Sequence, residues 1–322
     1  MDYTKVIKEV GRGKNHARDL DQATAGELYR RMLDGEVPEL ELGGLLIAFR
    51  IKGESESEML GFYQAMHERV LRLQPPVNRP MPVVIPSYNG ARKQANLTPL
   101  LALLLTRLGF PVVIHGVSED PTRVTSAEIL RNLGIAEVES AEQAQRQIDE
   151  GYPVFIPVSV LCPEIDRQLQ LRWRMGVRNS SHTLAKVATP FAEDKALRIV
   201  SVSHPEYITR VGTFFNDIHG RALLMQGTEG EVYANPQRCP EIHFIHQQKT
   251  QVLHVRQDIV VAPDSLPIAK DAATTARWTA QCLAGEIAIP YAIRLQLACC
   301  LVAAGETPTM EQAVATIRKR LG

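Results

Sequence analysis

Between residues 82 and 227 the chain repeats one pattern: a short β-branched run, then a stretch with helical spacing. PVVIP precedes a helix expected over 97–108, PVVIHG one over 126–133, and PVFIPV one that runs to Met175. ALRIVSVSH leads into a helix over 205–218, and RALLMQG follows it. Continuous apolar strands alternating with helices can bury both faces only in a mostly parallel sheet covered by helices. This restricts the chain to an α/β fold. Ligands of such sheets bind at the carboxyl ends of the strands, here near residues 87–93, 116–123, 203–205 and 226–231.

The segment before this pattern is expected to be helical only. Thr24 and Glu27 have capping-box spacing ahead of Leu28, Met32 and Leu33. Leu42, Leu45, Leu46 and Phe49 recur at helical spacing up to Gly53. Ser55 and Glu58 repeat the capping-box spacing before Met59, Tyr63 and Met66. QPPVNRPMP then excludes both helix and central strand, because proline lacks an N–H and fixes φ. A domain boundary is placed there. Helices return over 272–284, 291–304 and 309–321.

The chain carries 36 basic and 36 acidic side chains, so any positively charged surface must come from local segregation. Such segregation is visible. Lys5, Lys8, Arg12, Lys14 and Arg18 gather near the start, and RQLQLRWRMGVRN holds Arg167, Arg172, Arg174 and Arg178 without an acid. The 5 cysteines form no C-x-x-C pair, which suits a reduced, cytoplasmic setting. No apolar run approaches the ~20 residues needed to cross a bilayer, and the opening has no apolar segment of a secretory signal. His243, His246 and His254 lack a Cys or carboxylate at a metal-ligand spacing and read as structural. With no P-loop and no Gly-x-Ser-x-Gly elbow, ATP use and Ser-based hydrolysis have no support. No cofactor or metal is expected.

LDGEVPELELGGLLIAFRIKGESESEMLGF resembles the N-terminal helical signature of the anthranilate phosphoribosyltransferases. LGFPVVIHGVSEDPTRVTSAEILRNLGI is similar, position for position, to their K-H-G-N-R-x-x-S-S-x-S-G-S-A-D segment and its following helix. MGVRN corresponds to their L-G-x-R-T. The resemblance spans nearly the whole chain and implies an anthranilate phosphoribosyltransferase or nucleoside phosphorylase type of fold. A small helical domain, 1–75 joined by helices from about 164–189, would stand beside an α/β domain over 80–322. The usual assembly is a dimer through the helical domains.

Those enzymes hold the pyrophosphate of phosphoribosyl pyrophosphate on a Gly-Thr-Gly-Gly-Asp turn, use a Lys with a Ser/Gly loop, and bind Mg²⁺ through an Asp-Glu pair. By the resemblance, the turn here is Pro86-Ser87-Tyr88-Asn89-Gly90, the Lys is Ile114, and the metal pair falls on Val232 and Tyr233. His115, Gly116, Asn96 and Thr98 remain, and Glu128 stands for the loop's Asp. GRGKNHARDLD, PSYNGARKQANLTPLL, HGVSEDPTR, RWRMGVRNS and EGEVYANPQRCP resemble a narrower group, the second TrpD-like family. That family is described as nucleic-acid-binding and homodimeric, without transferase activity.

The resemblance therefore implies a non-enzymatic, sequence-indifferent binder of DNA or RNA on a degenerate scaffold. Its phosphate contacts would come from Arg172, Arg174, Arg178, Arg92, Lys93 and Arg123, with Lys5, Lys8, Arg12, Lys14 and Arg18 as a second basic segment. Tyr88 and Trp173 would be candidates for stacking on bases. Two other readings stay open: a phosphoribosyltransferase with altered substrate and site, and a protein-interaction scaffold. A homodimer is expected, with part of the apolar set Leu42, Leu45, Leu46, Phe49, Met59, Tyr63 and Met66 facing a two-fold partner.

Overall fold

The computed structural model describes residues 1–13 and 15–322. The chain opens with α1 (Tyr3–Val10), α2 (Gln22–Asp34), α3 (Glu39–Lys52) and α4 (Glu56–His67). Next come β1 (Val83–Ser87), α5 (Thr98–Arg107), β2 (Val112–Gly116), α6 (Ser126–Asn132), α7 (Ala141–Asp149) and β3 (Val154–Pro157). Three helices follow: α8 (Val158–Leu161), α9 (Pro163–Met175) and α10 (Ser181–Ala185). Then β4 (Leu197–Val202), α11 (Tyr207–Asp217), β5 (Arg221–Gln226), β6 (Arg238–Cys239), β7 (Ile242–His246), β8 (Lys249–His254) and β9 (Gln257–Asp258) lead to α12 (Ala272–Ala284), α13 (Tyr291–Ala303) and α14 (Met310–Leu321).

The chain divides into two compact units: Met1–Leu71 with Val158–Ala188, and Arg72–Pro157 with Thr189–Gly322. In the helical unit, α2 and α4 lie against each other at Gly26 and Gly61. A Cβ on Gly61 would stand 2.4 Å from the Gln22 carbonyl oxygen, so glycine sets this approach. Tyr29 stacks on Phe62 at 4.6 Å, and Phe49 meets Phe62 edge-on at 5.1 Å. The Ser55–Glu58 capping box forms as expected. The other one does not. Asp21 caps α2 instead, accepting from Thr24 N at 2.9 Å and Thr24 Oγ1 at 2.8 Å. A carboxylate offers two acceptor oxygens where Thr24 offers one hydroxyl, so the helix begins one turn early.

The α/β unit has a sheet of order β3-β2-β1-β4-β5-β7-β8, parallel from β3 to β5 and antiparallel beyond. This is the expected architecture, a small helical domain plus a larger α/β domain whose mostly parallel sheet follows from the strand–helix alternation. β1, β2, β3 and β4 are buried along their whole length, as strands covered on both faces must be. Leu100, Leu104, Ile114, Leu197, Ile199 and Leu297 belong to one continuous core. The strand order reverses between β1 and β4, so the loop after β1 opens at the switch point where ligands of such sheets sit. Among the described residues, no helix is long and apolar enough to cross a membrane.

Candidate functional site

The loop leaving β1 and the turn leaving β5 meet at this switch point. Backbone N–H groups of Asn89 and Gly90 point at a single atom, Glu231 Oε1, at 2.9 and 2.7 Å. The other oxygen, Oε2, accepts from Ser87 Oγ at 2.7 Å and Thr98 Oγ1 at 2.9 Å. Around this carboxylate the Ser87 and Ser126 hydroxyls lie 2.7 Å apart, Asn96 Nδ2 donates to Ser126 Oγ at 2.9 Å, and Asn96 Oδ1 accepts from Thr98 N at 3.0 Å. Glu231 is fully buried, and four donors stand in for a counter-ion.

A second carboxylate from the same turn does the same further along the loop. Glu229 accepts from Arg92 N at 3.2 Å, from Lys93 N at 2.9 and 3.1 Å, and from Gln94 N at 2.9 Å. Gly230 between the two acids has φ +88°, and a Cβ there would stand 1.7 Å from Asn89 Nδ2. Only glycine lets the turn lie this close to the loop. Sequence reasoning placed 226–231 at a ligand-binding edge but gave Glu229 and Glu231 no role. The available signal was two acids at alternate positions immediately before apolar Val232-Tyr233.

The positions that the resemblance matched to a Mg²⁺ pair do not suit the metal. Val232 and Tyr233 are buried in the core, and the Tyr233 hydroxyl donates to the Ala95 carbonyl at 2.9 Å. The oxygens of Glu229 and Glu231 are already taken by N–H and O–H donors. Among the described residues, no group of three or more His, Cys, Asp or Glu could hold a metal ion. Tyr88 is also buried, its hydroxyl 2.7 Å from His115 Nδ1, so it cannot stack on a base as expected from sequence.

The predicted basic residues fall in both units. In the α/β unit, Arg92 and Lys93 present their backbone N–H groups to Glu229, and Arg123 Nη1 donates to the Asn89 carbonyl at 3.3 Å. In the helical unit, the Arg172 guanidinium lies 4.1 Å over the Trp173 ring, Arg174 meets Glu39 at 3.2 Å, and the Arg178 carbonyl accepts from Arg50 Nη1 at 3.0 Å. Arg12 and Arg18 meet Glu9 at 3.1 and 3.5 Å, and Lys5 meets Asp2 at 3.7 Å. Lys8 is exposed on α1, and Lys14 lies outside the described residues. The RQLQLRWRMGVRN segment has no acid in the linear chain, yet in the folded unit Arg174 meets Glu39 of α3. In the N-terminal segment, Lys5, Arg12 and Arg18 are paired by its own local acids, Asp2 and Glu9.

Arg172 and Arg178 have one further consequence. His182 is half-buried beside them, and Asn179 N donates to its Nδ1 at 3.2 Å. Burial first, then the charges of Arg178 and Arg172, holds the imidazole down to about 3 from its ordinary 6.5. Below about 6.5 the unfolded chain binds a proton that the folded chain refuses, so stability falls as pH drops from there toward 3. We expect a loss of up to about 2 kcal/mol between pH 6.5 and 5 that His182→Gln abolishes. Chemical denaturation of both proteins at the two pH values checks this; parallel pH dependence in wild type and variant would contradict it.

Comparison with known proteins follows the same division. Residues 4–70 match the family described as "Glycosyl transferase family, helical bundle domain". The chain is 62% identical over 319 residues to the uncharacterized protein YbiB of Escherichia coli (strain K12), covering 99% of each. It is 26% identical over 308 residues to the anthranilate phosphoribosyltransferase of Thermus thermophilus, covering 94% of this chain and 91% of that one. The crystal structure of an anthranilate phosphoribosyltransferase from the same organism superimposes with a TM-score of 0.79 at 24% identity, over 100% of this chain and 94% of that one. These relatives correct the nucleic-acid reading. Those with a named activity are phosphoribosyltransferases, and the closely similar YbiB is uncharacterized, so the basic segments stand without the role given to them from sequence. Identity of this degree from end to end is that of one family, and the chain belongs with YbiB on the anthranilate phosphoribosyltransferase scaffold.

Proposed function

We propose that this chain is a phosphoribosyltransferase-type protein with an altered substrate and an altered site, and that it does not transfer phosphoribose from phosphoribosyl pyrophosphate. One observation carries the reading: Glu231 occupies the N–H groups of Asn89 and Gly90, in the turn matched to the relatives' pyrophosphate cradle. A pyrophosphate placed there would have to expel a buried carboxylate and would meet its charge. The altered substrate is therefore one that puts no pyrophosphate on this turn. The expected result of calorimetric titration with phosphoribosyl pyrophosphate, with and without Mg²⁺, is no binding heat. A micromolar isotherm in the presence of Mg²⁺ would overturn the reading.

The same proposal includes a homodimer, supported by different residues from those singled out in the sequence. Leu45, Leu46, Phe49, Tyr63 and Met66 are buried within the helical unit itself, while Leu42 and Met59 are half-buried. The apolar side chains left to solvent on α3 are Leu40, Ile47 and Ile51, exposed by 85%, 37% and 58%. Their spacing puts them on one stripe of the helix, the arrangement a self-complementary contact needs. Sedimentation at micromolar concentration is expected to give a dimer that Ile47→Glu with Ile51→Glu converts to monomer. A wild-type monomer would remove this part of the proposal. The cysteines found are free and buried, which supports a reducing, cytoplasmic setting.

A further inference from the structure

We infer that the successive N–H groups of Arg92, Lys93 and Gln94 form an oxyanion site that Glu229 keeps occupied, and that an anion of the phosphate class competes with Glu229 for it. The inference deepens the reading above and rests on it, since Glu231 is taken to hold Asn89 and Gly90 throughout. Three consecutive N–H groups converging on one acceptor make a nest, a backbone arrangement whose partial positive charge suits phosphate and carboxylate alike. Here the occupant is the chain's own side chain, at 2.9–3.2 Å.

The two acids of the turn differ in how firmly they are held. Glu231 is buried and bonded on both oxygens by groups from three segments. Glu229 is half-exposed at the surface of the loop. Its backbone sits at φ +53°, in the left-handed region that disfavours a residue with a Cβ. The bonds to the nest help hold that conformation, together with the Asn89 Nδ2 bond to the Glu229 carbonyl at 3.0 Å. An arriving anion would find positive charge around it. Arg92 and Lys93 are exposed, and the Lys270 ammonium donates to the Arg92 carbonyl. Lys93 and Lys270 also line a cleft of about 440 Å³, with Leu97, Tyr233, Leu266 and Ile268 among its apolar walls. The cleft gives an anion a cationic approach to the nest from the solvent side.

The test uses inorganic phosphate as the probe on the full chain. Glu229→Gly removes the internal carboxylate at a position whose backbone glycine prefers. Glu229→Asn, which also tolerates the left-handed conformation, is the second variant, with a side chain too short to reach the nest. Phosphate is expected to bind both variants at least tenfold more tightly than wild type, and to shift the amide resonances of Arg92, Lys93 and Gln94. Folded variants with wild-type phosphate affinity, or tighter binding that leaves those amides unmoved, would overturn the inference. Tight binding of phosphoribosyl pyrophosphate with Mg²⁺ by the wild type would instead strike the preceding reading. The two failures are therefore read from different titrations.

Discussion

Replacing Glu231 with Ala is expected to destabilise the α/β unit by about 3–5 kcal/mol. The substitution leaves the N–H groups of Asn89 and Gly90, and the hydroxyls of Ser87 and Thr98, without their acceptor in a buried pocket. Each buried donor left unpaired costs about 1–3 kcal/mol. The two hydroxyls can rotate toward other acceptors, but the two backbone groups cannot, so they carry most of the loss. At about 2–4 °C per kcal/mol for a unit of this size, the melting temperature should fall by roughly 10 °C. Glu231→Gln should recover much of the loss, because its Oε1 can still accept from the Asn89 and Gly90 N–H groups while its NH₂ donates to the Ser87 and Thr98 hydroxyls, which can also accept. Glu229→Gln, at a half-exposed position, should cost no more than about 1 kcal/mol. Thermal melts of the three variants check the order. A Glu231→Ala protein melting within about 2 °C of wild type would show that the carboxylate is not what holds loop and turn together.

Glu58→Ala should do comparable damage to the helical unit. Glu58 is fully buried on α4, with Oε1 accepting from Leu20 N at 2.9 Å and Oε2 from Lys52 Nζ and Ser55 N, each at 2.7 Å. Burial pulls the Lys52 ammonium toward neutrality, but the hydrogen bonds it donates to Asp19 and Glu58 outweigh it and hold its pKa above the ordinary value. Without Glu58, Lys52 keeps Asp19 at 2.6 Å and the Gly53 carbonyl at 3.0 Å, and two backbone N–H groups lose their acceptor. Breaking one side of a buried pair costs about 3–5 kcal/mol. Replacing both partners with apolar side chains, Glu58→Leu with Lys52→Met, should recover only the part owed to the unpaired ammonium, because Leu20 N and Ser55 N stay without their acceptor. Denaturant titration of the two single variants and the double variant gives the coupling. Additive losses would mean that the pair does not act as a unit.

Much of this architecture could be read directly from the chain. The runs PVVI and PVFI carry no polar alternation, which only strands covered on both faces can tolerate, and the fold buries them throughout. The helix expected over 272–284 is α12, and Ser55 and Glu58 form their capping box. Those readings rest on local rules, in which the deciding residues lie within one or two turns of each other. Where two local rules compete, as at the start of α2, residue chemistry decides, and Asp21 displaces Thr24 as the cap.

The candidate site was legible only in outline. The sequence alone determined that loops after the strands would gather at one edge, and that Val232 and Tyr233 could not carry a hard cation. It did not show that the N–H groups of the β1 loop are filled from within. Glu231 meets Asn89 and Gly90 across 142 and 141 residues, and no periodicity connects positions so far apart. The same holds for the RQLQLRWRMGVRN segment, where Arg174 finds Glu39 across 135 residues, and for α3, where packing exposes Leu40, Ile47 and Ile51 rather than Leu45, Leu46 and Phe49. Local spacing fixes which residues share a strand or a helix face. Which donor meets which acceptor depends on how those elements are laid side by side, and only the tertiary structure brings the β5 turn under the β1 loop closely enough for two carboxylates to fill its N–H groups.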